Sequence, residues 1–298
     1  MCGIVGLFLK DKSLEPQLGA MLSEMMVLLT DRGPDSAGIA IYGSSAEGQG
    51  KLTIQSPAPK RDFAGLDAEL SKKIGAPVAM TVKSTHAVFV MPADKLEAAR
   101  EAIAELRPAA RVMGMGEAIE IYKEVGLPEK VAERFEVSKM SGTHGIGHTR
   151  MATESAVTTM GAHPFSTGPD QCLVHNGSLS NHNNVRRELR REGMTFETEN
   201  DTEVAAAYLS HKIAGGMDLG QALESSLSDL DGFFTFVVGT KNGFGVVRDP
   251  IACKPAVMAE TDRYVAFGSE YRALANLPGI EQARVWEPEP STVYFWEH

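Results

Sequence analysis

The chain has 298 residues, of which 43% are apolar and 23% charged, and its net charge is −10. This composition fits one large globular domain or two small ones; the negative balance argues against a nucleic-acid-binding face and gives no attraction to an anionic membrane. No apolar run is long enough for a membrane span, the apolar start lacks the basic region of a signal peptide, and three scattered cysteines, Cys2, Cys172 and Cys253, read as reduced thiols of the cytoplasm.

In chain order, Cys2 opens the run Cys2-Gly3-Ile4-Val5-Gly6, and residues 3–9 form a short apolar strand. A small second residue lets Met1 be clipped, which would put a thiol and a free α-amine on Cys2. An α-amine titrates at roughly 7.7–8.0 and can take the thiol proton, so an N-terminal nucleophile carries its own general base. Alone, Cys2 would equally suit a buried place in a first strand. Pro16 opens a helix with Leu18, Met21, Leu22, Met25 and Leu29 on one face. A turn at 30–35 leads to a strand at 38–42 and a Gly/Ser-rich loop at 43–50.

Residues 51–143 have a different texture. A strand is expected at 86–91 and an amphipathic helix at 93–107, with Leu96, Ala99, Ile103 and Leu106 on its apolar face. A further helix is expected near 117–125, stopped by Gly126 and Pro128. The block holds no chemical constellation and reads as an insertion. Short strands resume at 144–149, 171–175, 233–239, 244–248, 256–259 and 264–268, with helices at 183–191, 202–213 and 219–230. Short strands with segregated helices indicate an α+β fold with antiparallel sheets.

Four polar constellations stand out: Arg32-Gly33-Pro34-Asp35; Gly147-His148-Thr149-Arg150-Met151-Ala152-Thr153 followed by His163-Pro164-Phe165; His175-Asn176-Gly177; and Asn200-Asp201-Thr202-Glu203. Alone, Asn176-Gly177 would be a hairpin turn, Arg150 a surface arginine and Asp201 a helix cap. Their order along the chain, from Cys2 onward, resembles the class II glutamine amidotransferases, whose glutaminase domains are N-terminal-nucleophile hydrolases. Arg248-Asp249-Pro250 with Lys254-Pro255, and Gly268-Ser269-Glu270, extend the likeness, which covers 2–42 and about 144–290.

The resemblance implies a four-layer αββα sandwich of two antiparallel sheets, one domain over 2–298 carrying an inserted α/β segment at about 51–143. It implies that Cys2 attacks the glutamine side-chain amide, forming a thioester and releasing ammonia. The oxyanion donors would be the Asn176 side-chain amide and the Gly177 backbone N–H. Arg150 would clamp the α-carboxylate through two parallel hydrogen bonds, which a lysine cannot make, and Asp201 would accept from the α-ammonium. Thr153 and His163 would flank the substrate in orienting rather than chemical roles, His175 would support Asn176, and the Arg32 cation would favour the thiolate.

His144 and His148 are spaced as in some zinc sites, with His163, His175 and Cys172 as further possible ligands, but neither a Cys-x-x-Cys pair nor an HExxH helix accompanies them, and the histidines read as orienting groups. No cofactor is therefore expected in this chain. The motifs run almost to the last residue, so the likeness is to a stand-alone glutaminase subunit. It is similar to those of glutamate-synthase-like and N-methylglutamate synthase systems, in which a separate partner carries FMN and an iron–sulfur cluster. A self-sufficient γ-glutamyl amidohydrolase and a non-catalytic glutamine-sensing subunit are the alternatives. The inserted segment is expected to dock the partner or to cover the site.

Overall fold

The structure, a computed structural model, describes residues 2–43, 46–152 and 156–298. Its elements are β1 (Gly3–Leu9), α1 (Leu18–Val27), β2 (Ser36–Tyr42), β3 (Gln49–Gln55), α2 (Pro59–Asp62), α3 (Leu66–Ile74), β4 (Ala79–Lys83), β5 (His86–Pro92), α4 (Leu96–Leu106), β6 (Arg111–Gly116), β7 (Ile119–Val125), α5 (Pro128–Arg134), β8 (His144–Arg150), β9 (Phe165–Gly168), β10 (Gln171–Leu179), α6 (His182–Arg191), α7 (Asp201–Ala214), α8 (Leu219–Asp229), β11 (Gly232–Gly239), β12 (Gly243–Arg248), β13 (Val257–Glu260), β14 (Tyr264–Gly268), β15 (Arg284–Trp286) and β16 (Val293–Glu297), joined by short 3₁₀ turns.

Two antiparallel sheets face one another. One has the order β15-β13-β14-β1-β8-β2-β7, the other β16-β12-β11-β10-β9. Between them lies a dry layer that includes Ile4, Phe8, Ile146, Val174, Val237, Phe244 and Phe267. Helices α1 and α5 cover the outer face of the first sheet through Leu18, Leu22, Met25, Val131 and Phe135. Helices α6, α7 and α8 cover the second through Leu189, Val204, Tyr208, Leu219 and Leu223. This is the αββα sandwich. Strand β1 is buried along its whole length, and a strand covered on both faces reads as an unbroken apolar run rather than an alternation. Glycine lets the sheets close at Gly6, where a Cβ would come 2.7 Å from the Phe244 ring.

The structure corrects the reading of 117–125 as a helix. It is strand β7, paired with β2 from Ser36↔Val125 to Tyr42↔Ile119. A further layer lies mostly within residues 51–143. It comprises the sheet β4-β5-β3-β6 with α3 and α4 packed on it, and its core of Leu52, Ile54, Leu66, Leu70, Phe89 and Ile103 is separate from the others. Strand β7 and helix α5 belong to the sandwich. The junction is fixed by Asp170, in the turn between β9 and β10, whose carboxylate accepts from the N–H groups of Glu117 (2.7 Å), Ala118 (2.8 Å) and Ile119 (3.0 Å).

These registers predict where the chain tolerates excision. Gly43 N–H already donates to Ala118 O at 3.1 Å, so an Asn-Gly turn in place of 44–117 would close β2 and β7 into a hairpin. That variant should unfold cooperatively within about 10 °C of the full chain in a thermal melt. Removal of 51–143 should instead give an aggregating product, because it strips Tyr122, Val131 and Phe135 from the core under α1.

Candidate active site

Strand pairing brings three chain segments to one end of the sandwich. Gly3 pairs with Thr149, and Ser36 with Arg150, so the start of β1, the end of β8 and the start of β2 meet there. Cys2 sits at this seam. Its sulfur accepts from Met151 N–H at 3.4 Å and lies 3.7 Å from Met151 O. Its carbonyl oxygen accepts twice, from Arg32 Nε at 3.0 Å and from Asn176 Nδ2 at 3.1 Å.

Arg32 stands in the turn before β2, which lies flush on β8: a Cβ on Gly33 would come 2.2 Å from the Thr149 carbonyl carbon. Its Nε donates to the Cys2 main chain, and its Nη1 pairs with Glu270 at 2.6 Å. The Arg32 hydrogen bond keeps the Glu270 carboxyl below the usual carboxylate range. In the same turn Asp35 accepts from Ala152 N–H at 2.8 Å, and its own N–H donates to Arg150 O at 3.0 Å. Both bonds anchor the chain beyond β8.

Asn176 and Gly177 lie inside β10, paired with Thr235 and Phe234 of β11, so they form no hairpin turn. His148 Nε2 lies 3.2 Å from Asn176 Oδ1 and 3.2 Å from the His175 carbonyl oxygen. Both neighbours are acceptors, so Nε2 carries the proton, and the Asn176 amide is turned with its NH₂ toward Cys2. The same NH₂ lies 3.3 Å from Ser269 Oγ, which accepts from Ile4 N–H at 2.9 Å. Gly177 has φ +149°, and a Cβ there would lie 2.0 Å from Phe233 O; only glycine fits this place.

Arg150 is buried at the end of β8, with Nη1 3.5 Å from Ala156 O. Asp201 is the first residue of α7. The cap read as one of its possible roles belongs to Asn200, which accepts from Thr202 N–H at 2.8 Å. The Asp201 carboxylate instead accepts from Leu179 N–H at 3.0 Å and lies 3.8 Å from His175 Nδ1. Thr202 Oγ1 bridges His163 Nε2 at 2.7 Å and His175 Nδ1 at 3.1 Å. His163, expected beside the substrate, is buried behind this bridge, its ring 4.1 Å from that of His148. Burial pushes His148 down to about 3, His163 well below its ordinary value, and His175 down as well. The three are neutral orienting groups. Thr153 lies outside the described residues. Among the described residues no cluster of three or more His, Cys, Asp or Glu side chains is arranged to hold a metal ion.

Sequence reasoning assigned no role to Ser269, which closes the contact between β14 and Asn176; the run Gly268-Ser269-Glu270 was its only local signal. Together the groups present a thiol, an oriented side-chain amide, a guanidinium and a carboxylate around one end of the sandwich.

Comparison with known proteins gives a consistent picture. Residues 148–276 match the family described as "Glutamine amidotransferase domain". The chain is 71% identical over its full length to the glutamine amidotransferase-like protein GlxB of Rhizobium meliloti (strain 1021), covering 99% of that protein. It is 34% identical to a Methanothermobacter thermautotrophicus protein provisionally named a glutamine amidotransferase, covering 99% of each chain. Among solved structures it resembles the glutamine phosphoribosylpyrophosphate amidotransferase of B. subtilis, with a TM-score of 0.62 at 20% identity, over 99% of this chain and 47% of that one. The chain thus spans about half the length of that solved structure.

The buried histidines set a pH dependence of stability. His86, His144 and His148 are each pushed down to about 3 by burial. Below the ordinary value of about 6.5 the unfolded chain binds protons that the folded chain refuses, so stability is present at neutral pH and is lost as pH falls. Each group removes up to about 1.4 kcal/mol per pH unit. Urea titrations at pH 7 and pH 5 should show a steep loss, above the range where carboxylates titrate. His86→Phe should flatten the slope by one group's share; an unchanged slope would mean His86 is not refused its proton in the fold.

Proposed function

Because the chain belongs to the class II glutamine amidotransferases, we propose that it hydrolyses the side-chain amide of glutamine with Cys2 as nucleophile and delivers the ammonia to a separate synthase chain. The observation that carries this reading is the convergence on Cys2: its carbonyl is held by Arg32 in the turn before β2 and by Asn176 in β10 of the other sheet, with the Asn176 amide turned toward it by His148.

With Met1 removed, the α-amine takes the thiol proton and the thiolate attacks the amide carbon. The oxyanion accepts from Asn176 Nδ2 and the Gly177 N–H, donors held in place before the charge develops. The carbon–nitrogen bond breaks, and the Cys2 ammonium gives its proton to the departing nitrogen, which leaves as ammonia. Water, deprotonated by the same amine, attacks the thioester; glutamate leaves and the thiol is restored. Arg150 holds the substrate α-carboxylate and Asp201 its α-ammonium, while His163 backs Thr202 and His148 from behind. Burial holds the three histidines neutral, and the α-amine of Cys2 acts as the base.

Two full-length relatives match this chain end to end, each over 99% of its own length. The partner read from the family likeness is glutamate-synthase-like, carrying FMN and an iron–sulfur cluster.

Intact-mass analysis with an electrophilic glutamine analogue tests the reading. The expected result is loss of Met1 and one adduct mapped to Cys2, absent in Cys2→Ala. Asn176→Ala should lower glutamine hydrolysis on the order of 100-fold with little change in KM, whereas Arg150→Ala should act mainly on KM. An adduct on Cys253 alone would refute the nucleophile. Glutamine-dependent partner activity surviving in Cys2→Ala would convert the reading to that of a glutamine sensor.

A further inference from the structure

Lys123 lies in β7, which carries none of the sequence motifs, yet its side chain is buried. Its Nζ donates to the carbonyl oxygens of Ala162 at 2.9 Å, Pro164 at 3.1 Å and Met160 at 3.5 Å, and lies 4.5 Å from the Phe165 ring centroid. Among the described residues its hydrogen-bond partners are all carbonyls and none is a carboxylate. An ammonium has three donors, and here all three are spent on one irregular stretch of main chain. Buried carbonyls need partners, and this stretch has no strand to supply them. Burial pushes the amine down to about 8, against the pull of Glu203 and Glu197. The same stretch is seated on β2 at Gly38, where a Cβ would lie 2.1 Å from His163 O and 2.6 Å from Lys123 Cβ.

What the stretch carries is His163. Its ring touches Thr202, which bonds His175 and adjoins Asp201; it also lies against the His148 ring at a tilt of 34°, and His148 bonds Asn176. We propose that Lys123 is a positioning residue for glutamine turnover: by holding the 160–164 main chain it fixes His163, and through His163 both the Asn176 amide and the start of α7 at Asp201. The proposal rests on the glutaminase reading. Misplacing a reacting group by an ångström can cost on the order of 100-fold in rate, so a loosened stretch should be visible in kinetics before it is visible in the fold.

The test is the rate of covalent labelling at Cys2 by two electrophiles, an electrophilic glutamine analogue and iodoacetamide, which requires neither Asn176 nor Asp201. Lys123→Met should slow labelling by the analogue about tenfold, chiefly in the rate at saturation, and leave the iodoacetamide rate unchanged. Thr202→Val, which keeps Lys123 and cuts the link beyond it, should do the same. The double variant should be no slower than the slower single one, because both changes break one chain of contacts. Wild-type labelling by the analogue in either single variant, or multiplied effects in the double, would overturn the proposal. Thr202→Val carries the test alone should Lys123→Met fail to fold. A general role in packing would slow both electrophiles together and is likewise fatal. A wild-type chain labelled by iodoacetamide but not by the analogue refutes the glutaminase reading, and this inference with it.

Discussion

The carbonyl oxygen of Cys2 is the acceptor on which the site depends. A chain start frays unless something ties it down, and this one is tied from both sheets at once, by Arg32 beside β2 and by Asn176 within β10. The main chain of Ile4 strengthens the tie, donating to Ser269 Oγ and accepting from Ser269 N–H, both at 2.9 Å. Arg32 spends its remaining charge on Glu270, so the residues just after β14 complete the clasp. The sulfur is left at the seam of two sheets, with Met151 N–H as its donor.

Behind the clasp lies a buried polar layer without formal charge. His148, His163 and His175 are all held neutral by burial, and Thr202 joins two of them. Hydrogen bonds in a low-dielectric interior are strong when satisfied, and neutral imidazoles provide them without adding cations beside Arg32 and Arg150. The imidazoles therefore orient their neighbours, His148 the Asn176 amide and His163 the Thr202 hydroxyl.

Much of this was legible in the sequence, for specific reasons. Strands β1 and β14 are short runs of apolar residues and glycine, and the polar groups His148, Thr149 and Arg150 within β8 mark the site. Residues 117–125 misled because Lys123 is a buried polar side chain in a strand, so the period-two alternation begun by Ile119 and Ile121 breaks where the strand does its work. Asn200 and Asp201 are both good cap formers, and only the contact from Leu179 N–H to Asp201 separates their roles. The part played by Ser269 is set by β1 and β10, far away in sequence, and no local pattern could reveal it.

The layer of β4-β5-β3-β6 is bound to the same framework. Its last strand, β6, passes into β7 across the Asp170 carboxylate, which gathers three consecutive N–H groups. A Cβ on Gly116 would come 2.2 Å from Asp170 Oδ1, so the chain must be bare there for the carboxylate to close on it. Charge-assisted bonds of this kind are about twice as strong as neutral ones, and Asp170 holds φ +50° in its turn, a conformation that aspartate tolerates better than most residues. That turn leads directly into β10, the strand of Asn176 and Gly177. The attachment of that layer and the candidate oxyanion donors thus lie on one continuous piece of chain, the Asp170 turn and the strand β10 that follows it.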